Sequence, residues 1–172
     1  VAERVRVLYE KNQAELDGTP LRVVSCHLGG SSSVTGIRNG VAIDTSMGLS
    51  PQSGLPQNNR VGDLDSMAVT YVMKTLGLSV EEVERQLTKE SGLLGLSGKS
   101  NDVRDIWAAA DAGDEDAALA IDSLVYGIRQ YVGSYMLQLG GLDALVFTAG
   151  IGENDTRVRE RVCQGLGDLG LE

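Results

Sequence analysis

A glycine- and serine-rich segment at residues 27–31 combines groups that bind anions. It reads His-Leu-Gly-Gly-Ser and continues into two further serines. Adjacent glycines let backbone N–H groups turn toward an anion, and hydroxyl and imidazole groups add donors. The segment therefore suits a phosphate, but it equally suits a tight connection between strands, and it lacks the lysine of the familiar nucleoside-triphosphate loop. The candidate residues are His27, Leu28, Gly29, Gly30 and Ser31.

A second glycine segment, Ala-Gly-Ile-Gly-Glu-Asn at 149–154, follows an apolar run at 144–148. Its Gly-x-Gly resembles half of a dinucleotide-binding fingerprint, but Asp155 stands where the third glycine belongs. A glutamate beside a phosphate is unfavourable, so two interpretations remain. Either a flat adenosine lies against bare backbone, or the segment is a plain strand-to-helix turn. The candidate residues are Gly150, Ile151, Gly152, Glu153 and Asn154.

Arg60 lies in a long stretch of glycine, proline and polar residues at 46–63. Loops of this length in compact domains are often functional. A guanidinium group suits a phosphoryl group in transfer, although an arginine in a loop is usually a solvated surface charge. Asp65 is predicted to cap the next helix, whereas Asp63 is compatible with either a cap or a metal ion.

A third candidate segment, Asp102, Val103 and Arg104, opens a predicted helix. On the residues alone, its acids are explained by the favourable interaction of negative charge with a helix N-terminus. Cys26 and His27 have no neighbouring cluster of ligand residues in the sequence, so no metal site is predicted there.

The elements around these segments predict a mixed α/β fold. Strands are expected at 21–26, on both sides of the hairpin signal Asn39-Gly40, and, fully buried, at 144–148. Glycine-rich connections are expected at 91–98 and 149–154. Ser79 and Glu82 are predicted to form a capping box for the next helix, which is expected to bury Val80, Val83 and Leu87. Further helices are predicted at 1–16, 65–77, 101–113, 117–139 and after residue 155. The helix at 117–139 carries a stripe of apolar residues at helical spacing from Ala117 to Leu139.

The charge and composition of the sequence argue against some classes of binding partner. The 172 residues carry 15 basic and 24 acidic side chains, a net charge of −9, which argues against nucleic acid or an anionic membrane as a partner. Two cysteines form no disulfide framework, so a reducing, cytoplasmic location is expected. The sequence contains no apolar run that reaches the length of a membrane span.

Taken together, the segments resemble the acetate kinase family of ATP-dependent carboxylate kinases. Each motif alone is weak, but seven occur in the expected order. They are Cys-His-Leu-Gly at 26–29, Asp-Thr-Ser-Met-Gly at 44–48, Arg60 with Gly-Asp-x-Asp at 62–65, Lys-Glu-Ser-Gly-Leu-Leu-Gly at 89–95, Asp-x-Arg-Asp-Ile at 102–106, Gly-Gly-Leu-Asp-Ala at 140–144 and Phe-Thr-Ala-Gly-Ile-Gly-Glu-Asn at 147–154.

The resemblance implies one lobe of the actin-like, sugar-kinase-like ATPase fold, with a ribonuclease-H-like mixed sheet and flanking helices. Residues 1–172 would be most of the second, nucleotide-binding lobe, with the first lobe outside this sequence. The implied reaction is phosphoryl transfer from ATP to acetate. The alternatives are propionate or another short-chain carboxylate as acceptor, or a non-catalytic nucleotide-binding module. Also implied are ADP, Mg²⁺ with ligands mostly outside this chain, and a homodimer.

The resemblance also implies a role for each candidate. Residues 27–31 match a loop that contacts the ATP phosphates, and Arg60 matches an arginine that stabilises the phosphoryl transition state. Residues 102–104 and 150–154 match two walls around the adenosine. This sequence departs from the family pattern in two segments and at Val61, where the family has a serine after the arginine. It has Gly30-Ser31-Ser32-Ser33 in place of Asn-Gly-Ala-Ser, and Gln57-Asn58-Asn59 in place of Met-Gly-Thr before the arginine.

Overall fold

The computed structural model describes residues 2–12 and 20–171, which form two compact units. The first unit comprises the described residues of Val1–Gly29, Ser33–Ser46 and Ile128–Glu172, and the second comprises Gly30–Ser32 and Met47–Gly127. The boundary therefore falls inside the first candidate segment, between Gly29 and Gly30.

The first unit is built on a four-stranded sheet with the order β3-β2-β1-β4. Its strands are β1 (Arg22–Leu28), β2 (Ser32–Arg38), β3 (Val41–Thr45) and β4 (Ala144–Thr148). β1 and β4 run parallel, while β2 and β3 run antiparallel. The sheet is thus mixed, and with its helices it confirms the predicted fold class.

The turn at Asn39-Gly40 forms the predicted hairpin between β2 and β3. Asn39 and Gly40 have φ angles of 51° and 85°, the left-handed pair that a two-residue hairpin turn requires. The Asn39 backbone N–H donates to the carbonyl of Leu21, and its side-chain oxygen accepts from the Leu21 N–H. Asn39 and Gly40, whose residue types tolerate positive φ, therefore form the turn that sets the register of this hairpin.

An ion pair joins the start of β1 to the residue before β4. The Arg22 guanidinium donates to both carboxylate oxygens of Asp143, at 3.1 and 2.6 Å, and the Arg22 N–H donates at 2.7 Å. Burial alone would raise the pKa of Asp143, but the hydrogen bonds and charge of Arg22 outweigh it and the pKa is lowered. Because this ion pair aligns the two parallel strands, it gives Asp143 of the 140–144 motif a structural role.

Four helices contribute to the first unit: α1 (Ala2–Asn12), α6 (Glu115–Leu139) from Ile128 onward, α7 (Ala149–Asn154) and α8 (Thr156–Cys163), followed by a 3-10 helix (Gly167–Leu169). The helix predicted at 1–16 is confirmed over its described part, and residues 13–16 lie outside the described residues. The prediction that β4 is fully buried is wrong, because all five of its residues are half-buried.

The second unit contains α2 (Ser66–Leu76), α3 (Val80–Arg85), a π-helix (Gln86–Glu90), α4 (Gly92–Ser97), α5 (Val103–Asp111) and α6 up to Gly127. The predicted caps are present: Asp65 accepts from the Met67 N–H, and Ser79 forms a capping box with Glu82. The glycine-rich connection predicted at 91–98 is wrong, since most of it is helical. Val80 was expected to be inward but is 62% exposed, while Val83 is buried.

Each unit has its own apolar interior. The long helix α6 supplies its predicted stripe to both, with Tyr131 and Met136 half-buried. The buried apolar side chains of the first unit are Leu21, Val23, Val24, Cys26, Leu28, Val34, Ile128, Val132, Tyr135, Leu139, Leu142, Val158, Val162 and Leu166. Those of the second unit are Leu55, Val83, Leu93, Val103, Ile106, Ala117, Ala120, Ile121, Leu124 and Val125. None of the described helices combines the length and apolar character that crossing a bilayer requires.

Candidate functional site

The stretch around Arg60 is a closed loop in the second unit. Gly54 N–H donates to the Asp63 carboxylate at 2.8 Å, and Asp63 N–H donates back to the Gly54 carbonyl at 2.8 Å. Between them, Gly62 has a φ of 81°, and a Cβ there would lie 2.7 Å from the Leu55 backbone. Asp63, which the sequence left undecided, therefore closes the loop at its base.

Helix α4 supports the top of this loop. The first N–H groups of a helix have no partner within the helix, and α4 has no side-chain cap. Instead, Leu93 and Leu94 donate to the carbonyls of Gln57 and Asn58, at 2.8 and 2.9 Å. The loop and the helix thus satisfy each other's backbone groups, which holds the turn at residues 57–60 in one conformation.

Gly92 allows the loop to approach α4 this closely. Its φ is 61°, and a Cβ there would lie 2.1 Å from the Gln57 carbonyl oxygen and 2.5 Å from the Arg60 carbonyl oxygen. Backbone atoms cannot move aside as the end of a side chain can, so the position requires glycine. The Lys-Glu-Ser-Gly-Leu-Leu-Gly motif at 89–95 therefore forms the support for Arg60.

The Arg60 guanidinium is held by neutral groups. Its Nη1 donates to Ser31 Oγ at 2.9 Å and to Gln57 Oε1 at 3.1 Å. None of the ion pairs among the described residues includes Arg60, and within that part of the chain its Nε and Nη2 groups have no hydrogen-bond partner. The structure therefore brings two candidates, Ser31 and Arg60, together and leaves the positive charge without a counter-charge.

Gln57 is the residue in this network that the sequence did not single out as a site residue. It is 1% exposed, and its Oε1 also accepts from Ser31 Oγ at 3.1 Å and from Ser32 N–H at 3.3 Å. Its Nε2 donates to the Pro51 carbonyl at 2.6 Å. A glutamine in a polar loop has no local signature of burial, so only the folded loop reveals this role.

The Asp102–Arg104 segment has a different arrangement. Asp102 caps α5 by accepting from the Arg104 N–H at 2.9 Å, and it pairs with the Arg104 Nη2 at 2.5 Å. The Arg104 side chain is 85% exposed. The side-chain and backbone hydrogen bonds from Arg104 lower the pKa of Asp102 to about 2. The charge of this arginine is thus already compensated by Asp102, which lies at the start of a helix, as predicted, and caps it.

In the first unit, His27 lies at the carboxyl end of β1 and pairs in register with Thr148 at the end of the parallel strand β4. Its Nδ1 is 3.0 Å from Thr148 Oγ1, and its ring is exposed. Ligands of α/β proteins bind at the carboxyl ends of parallel strands. Thr148 is a neighbour that could have been found from the sequence, because it ends the predicted strand 144–148. The adjacent Cys26 is buried, which raises its pKa to about 12.

Neither Gly30 nor Gly150 has a left-handed φ. A Cβ at either position would meet nothing within 4 Å. What these glycines provide is open space beside the backbone, rather than an unusual conformation.

The second glycine segment is a short helix, so the predicted loop at 149–154 is wrong. α7 begins at Ala149, whose φ of 65° makes a sharp turn out of β4. Asn154 Nδ2 donates to the Gly150 carbonyl at 2.9 Å. Arg159, which the sequence did not indicate, donates to the carbonyls of Gly152 and Glu153 at 3.0 and 2.8 Å. Side chains thus occupy the carbonyls that the end of a helix leaves free.

Within residues 2–12 and 20–171, His, Cys, Asp and Glu side chains form no group of three or more that could hold a metal ion.

The sequence of most of this chain is similar to that of proteins of known name. An acetate kinase of Shouchella clausii is 51% identical over 162 residues, which are 92% of this chain and 41% of that protein. A propionate kinase of Citrobacter rodentium is 50% identical over 161 residues, 92% of this chain and 40% of that protein. The chain thus spans about two fifths of the length of the curated relatives it matches.

The fold matches solved structures of the same kind. The crystal structure of Porphyromonas gingivalis acetate kinase has a TM-score of 0.91 and 38% identity, covering 99% of this chain and 41% of that one. A propionate kinase from Francisella tularensis has a TM-score of 0.84 and 40% identity, over 96% of this chain and 42% of that one. The model of the acetokinase family matches residues 1–172. The chain therefore belongs to the acetokinase family.

Proposed function

We propose that the full-length protein containing this chain is an ATP-dependent acetate kinase, with residues 1–172 forming most of its second, nucleotide-binding lobe. The first lobe would complete the enzyme. The chain belongs to the acetokinase family, and relatives that cover the same region carry the names acetate kinase and propionate kinase. A homodimer and a cytoplasmic location belong to the same proposal.

The state of Arg60 is the single observation that carries this proposal. In the reaction, an acetate oxygen bonds to the γ-phosphorus while the bond from that phosphorus to the β–γ bridging oxygen breaks, releasing ADP. Nucleophile and phosphoryl group are both anionic, so catalysis depends on positioning and charge neutralisation. An arginine that is anchored through Nη1 by neutral acceptors keeps its charge, and its Nε and Nη2 groups suit a phosphoryl oxygen.

The other candidates take supporting roles in this proposal. His27, Leu28, Gly29, Gly30 and Ser31 would contact the ATP phosphates, with His27 as a hydrogen-bond donor. Asp102, Val103 and Arg104 would line one side of the adenosine, where the exposed guanidinium plane suits an aromatic base. Gly150, Ile151, Gly152, Glu153 and Asn154 would line another side.

Mg²⁺ accompanies ATP in this proposal, and the described residues contain no group of three or more His, Cys, Asp or Glu side chains that could hold it. Its protein ligands would come from outside this chain, and no step assigned to these residues runs through the metal ion.

The test is an assay of the full-length protein with ATP, Mg²⁺ and acetate, in which hydroxylamine traps acetyl phosphate as a hydroxamate. We expect acyl phosphate and ADP in equal amounts. The isolated 172-residue chain should bind adenine nucleotide weakly and make no acyl phosphate, because the first lobe is missing. A full-length protein that binds ATP without transferring phosphate to any short-chain carboxylate would instead be a non-catalytic nucleotide-binding module.

Propionate is the second candidate acceptor, because a relative named propionate kinase shares 50% identity with this chain. The ratio of kcat/KM for acetate to that for propionate decides between them. A ratio above one supports acetate as the substrate, and a ratio below one assigns the protein to propionate.

A further inference from the structure

The buried carboxamide of Gln57 connects three segments of the second unit. Oε1 accepts from Ser31 Oγ and Ser32 N–H in one segment and from Arg60 Nη1 in another. Nε2 donates to the Pro51 carbonyl at 2.6 Å in the third. Its own backbone carbonyl accepts from Leu93 of helix α4, so its main chain is fixed as well.

This arrangement uses the full hydrogen-bonding capacity of the Gln57 carbonyl oxygen. A carbonyl oxygen has two lone pairs, and here three donors share it. Ser31 Oγ, in turn, accepts from Arg60 Nη1 at 2.9 Å while donating to Gln57. Arg60, Ser31 and Gln57 therefore form a closed triangle, in which removal of Gln57 takes one hydrogen-bond partner from each of the other two.

The two segments in which this sequence departs from the acetate kinase pattern meet in that triangle. Ser31 and Ser32 belong to the departure at 30–33, and Gln57 belongs to the departure at 57–59. Since a direct hydrogen bond joins them, the two departures form one structural feature.

We propose that Gln57 is a positioning residue for Arg60: its buried carboxamide and the Ser31 hydroxyl together hold Nη1, so that Nε and Nη2 are directed to the transferred phosphoryl group. The role rests on the proposed carboxylate kinase activity. Gln57 itself contacts no substrate, and its influence on the reaction passes through the arginine.

The test is a double-mutant cycle in the full-length enzyme with Gln57→Met, Arg60→Ala and the double variant. Misplacement of a catalytic group by about 1 Å can cost on the order of 10²-fold in rate, so we expect Gln57→Met to lower kcat roughly 10- to 100-fold. The KM for ATP should change less than about threefold, since the loss falls on the transition state. In the Arg60→Ala background, the same substitution should change kcat by less than about twofold.

Gln52→Met is the matched control. Gln52 lies in the same loop, and its Oε1 has no hydrogen-bond partner among the described residues. It should retain wild-type kcat. Equal losses of kcat from Gln57→Met with and without Arg60, or no loss in either background, would overturn the positioning role.

A second measurement is independent of catalysis. Phenylglyoxal modifies free guanidinium groups, and the reaction of Arg60 can be followed by mass spectrometry of its peptide. Gln57→Met should speed modification of Arg60 several-fold over the wild type, and Gln52→Met should not. An unchanged rate of Arg60 modification would refute the positioning role, whether or not the full-length protein has kinase activity. Absence of kinase activity would by itself refute only the proposed function.

Discussion

Arg60 and Arg104 are both candidates from the sequence, and both lie in the second unit, but their side chains differ in exposure and in the kind of group that they bond. Arg60 is half-buried and bonded to a hydroxyl and a carboxamide. Arg104 is exposed and bonded to the carboxylate of Asp102 two residues away. The first guanidinium is held by neutral groups and has no counter-charge, whereas the charge of the second is compensated by a carboxylate.

The difference indicates what each arginine can do. A fixed, unneutralised guanidinium attracts an oxyanion and costs no rearrangement when charge develops. An arginine already paired with a carboxylate offers a flat surface more than a net charge. Neutral acceptors around Arg60 are thus a stronger indication of phosphoryl chemistry than the presence of an arginine in the motif.

The largest expected effect is the loss of kcat when Arg60 is removed, and removal of Arg104 provides the comparison. In the full-length enzyme, Arg60→Ala should lower kcat on the order of 10³-fold, as expected for an arginine that stabilises phosphoryl transfer. Arg104→Ala should change kcat/KM for ATP less than about fivefold, because an exposed guanidinium that stacks on a base contributes little to binding. Steady-state kinetics of both variants measures the two losses of activity. Losses of similar size would contradict the contrast between Arg60 and Arg104.

The backbone support of Arg60 can be tested at two glycines with nearly the same φ, 61° at Gly92 and 59° at Gly98. Gly92→Ala places a methyl group against the Gln57 and Arg60 backbone, and we expect a loss of about 3 kcal/mol in the free energy of unfolding. Gly98→Ala meets open space and should lose only about 1 kcal/mol, the cost of the left-handed conformation. Denaturant unfolding of the full-length protein measures both, and equal losses would show that the loop does not depend on this close approach.

Ser31→Asp would convert Arg60 into a pair resembling that of Arg104. The new carboxylate would neutralise the guanidinium and repel ATP, so kcat should fall on the order of 10²-fold and ATP binding should weaken. Ser31→Asn adds a side chain of similar size without charge and should retain more activity. Calorimetry with ATP, together with kinetics, separates the two effects. Unchanged ATP affinity in Ser31→Asp would remove residues 27–31 from the binding site.

The smallest effect concerns titration of the exposed pair. Arg104 lowers the pKa of Asp102 from 3.8 to about 2, so the pair adds stability above the ordinary pKa and loses it as the pH falls through this interval. Arg104→Ala should return the pKa of Asp102 toward its ordinary value, as NMR of the carboxyl carbon would show. Lys99→Ala, which breaks the separate exposed pair with Asp114, should leave the pKa of Asp102 unchanged.

Local sequence signals predicted many elements of the fold correctly. The hairpin at Asn39-Gly40, the caps at Asp65 and Ser79, the helix start at Asp102 and the stripe along α6 all depend on residues within a few positions of each other. Such interactions are nearly the same in any fold that contains these elements, so the residues alone determine them.

One of the errors arose where distant segments satisfy one another. Residues 91–98 contain glycine and serine and predicted a connection, but Gln57 and Asn58 supply the carbonyls that complete the first turn of α4. The loop predicted at 149–154 is a different case, because its partners are near in sequence: Asn154 and Arg159 bond the carbonyls of a helical turn. For residues 91–98, the partners are not visible in the local pattern.

The sequence by itself determined the family, the mixed sheet and the identity of Arg60 and Ser31 as candidates, because those depend on residue types in a fixed order. Only the tertiary structure decided how the arginine is held. Gln57 becomes a buried acceptor because the closed loop at 54–63 rests on α4 and meets residues 31 and 32, and no local sequence pattern specifies that contact. Burial and hydrogen bonding between distant segments, more than residue type, distinguish the arginine suited to catalysis from the arginine paired at the surface.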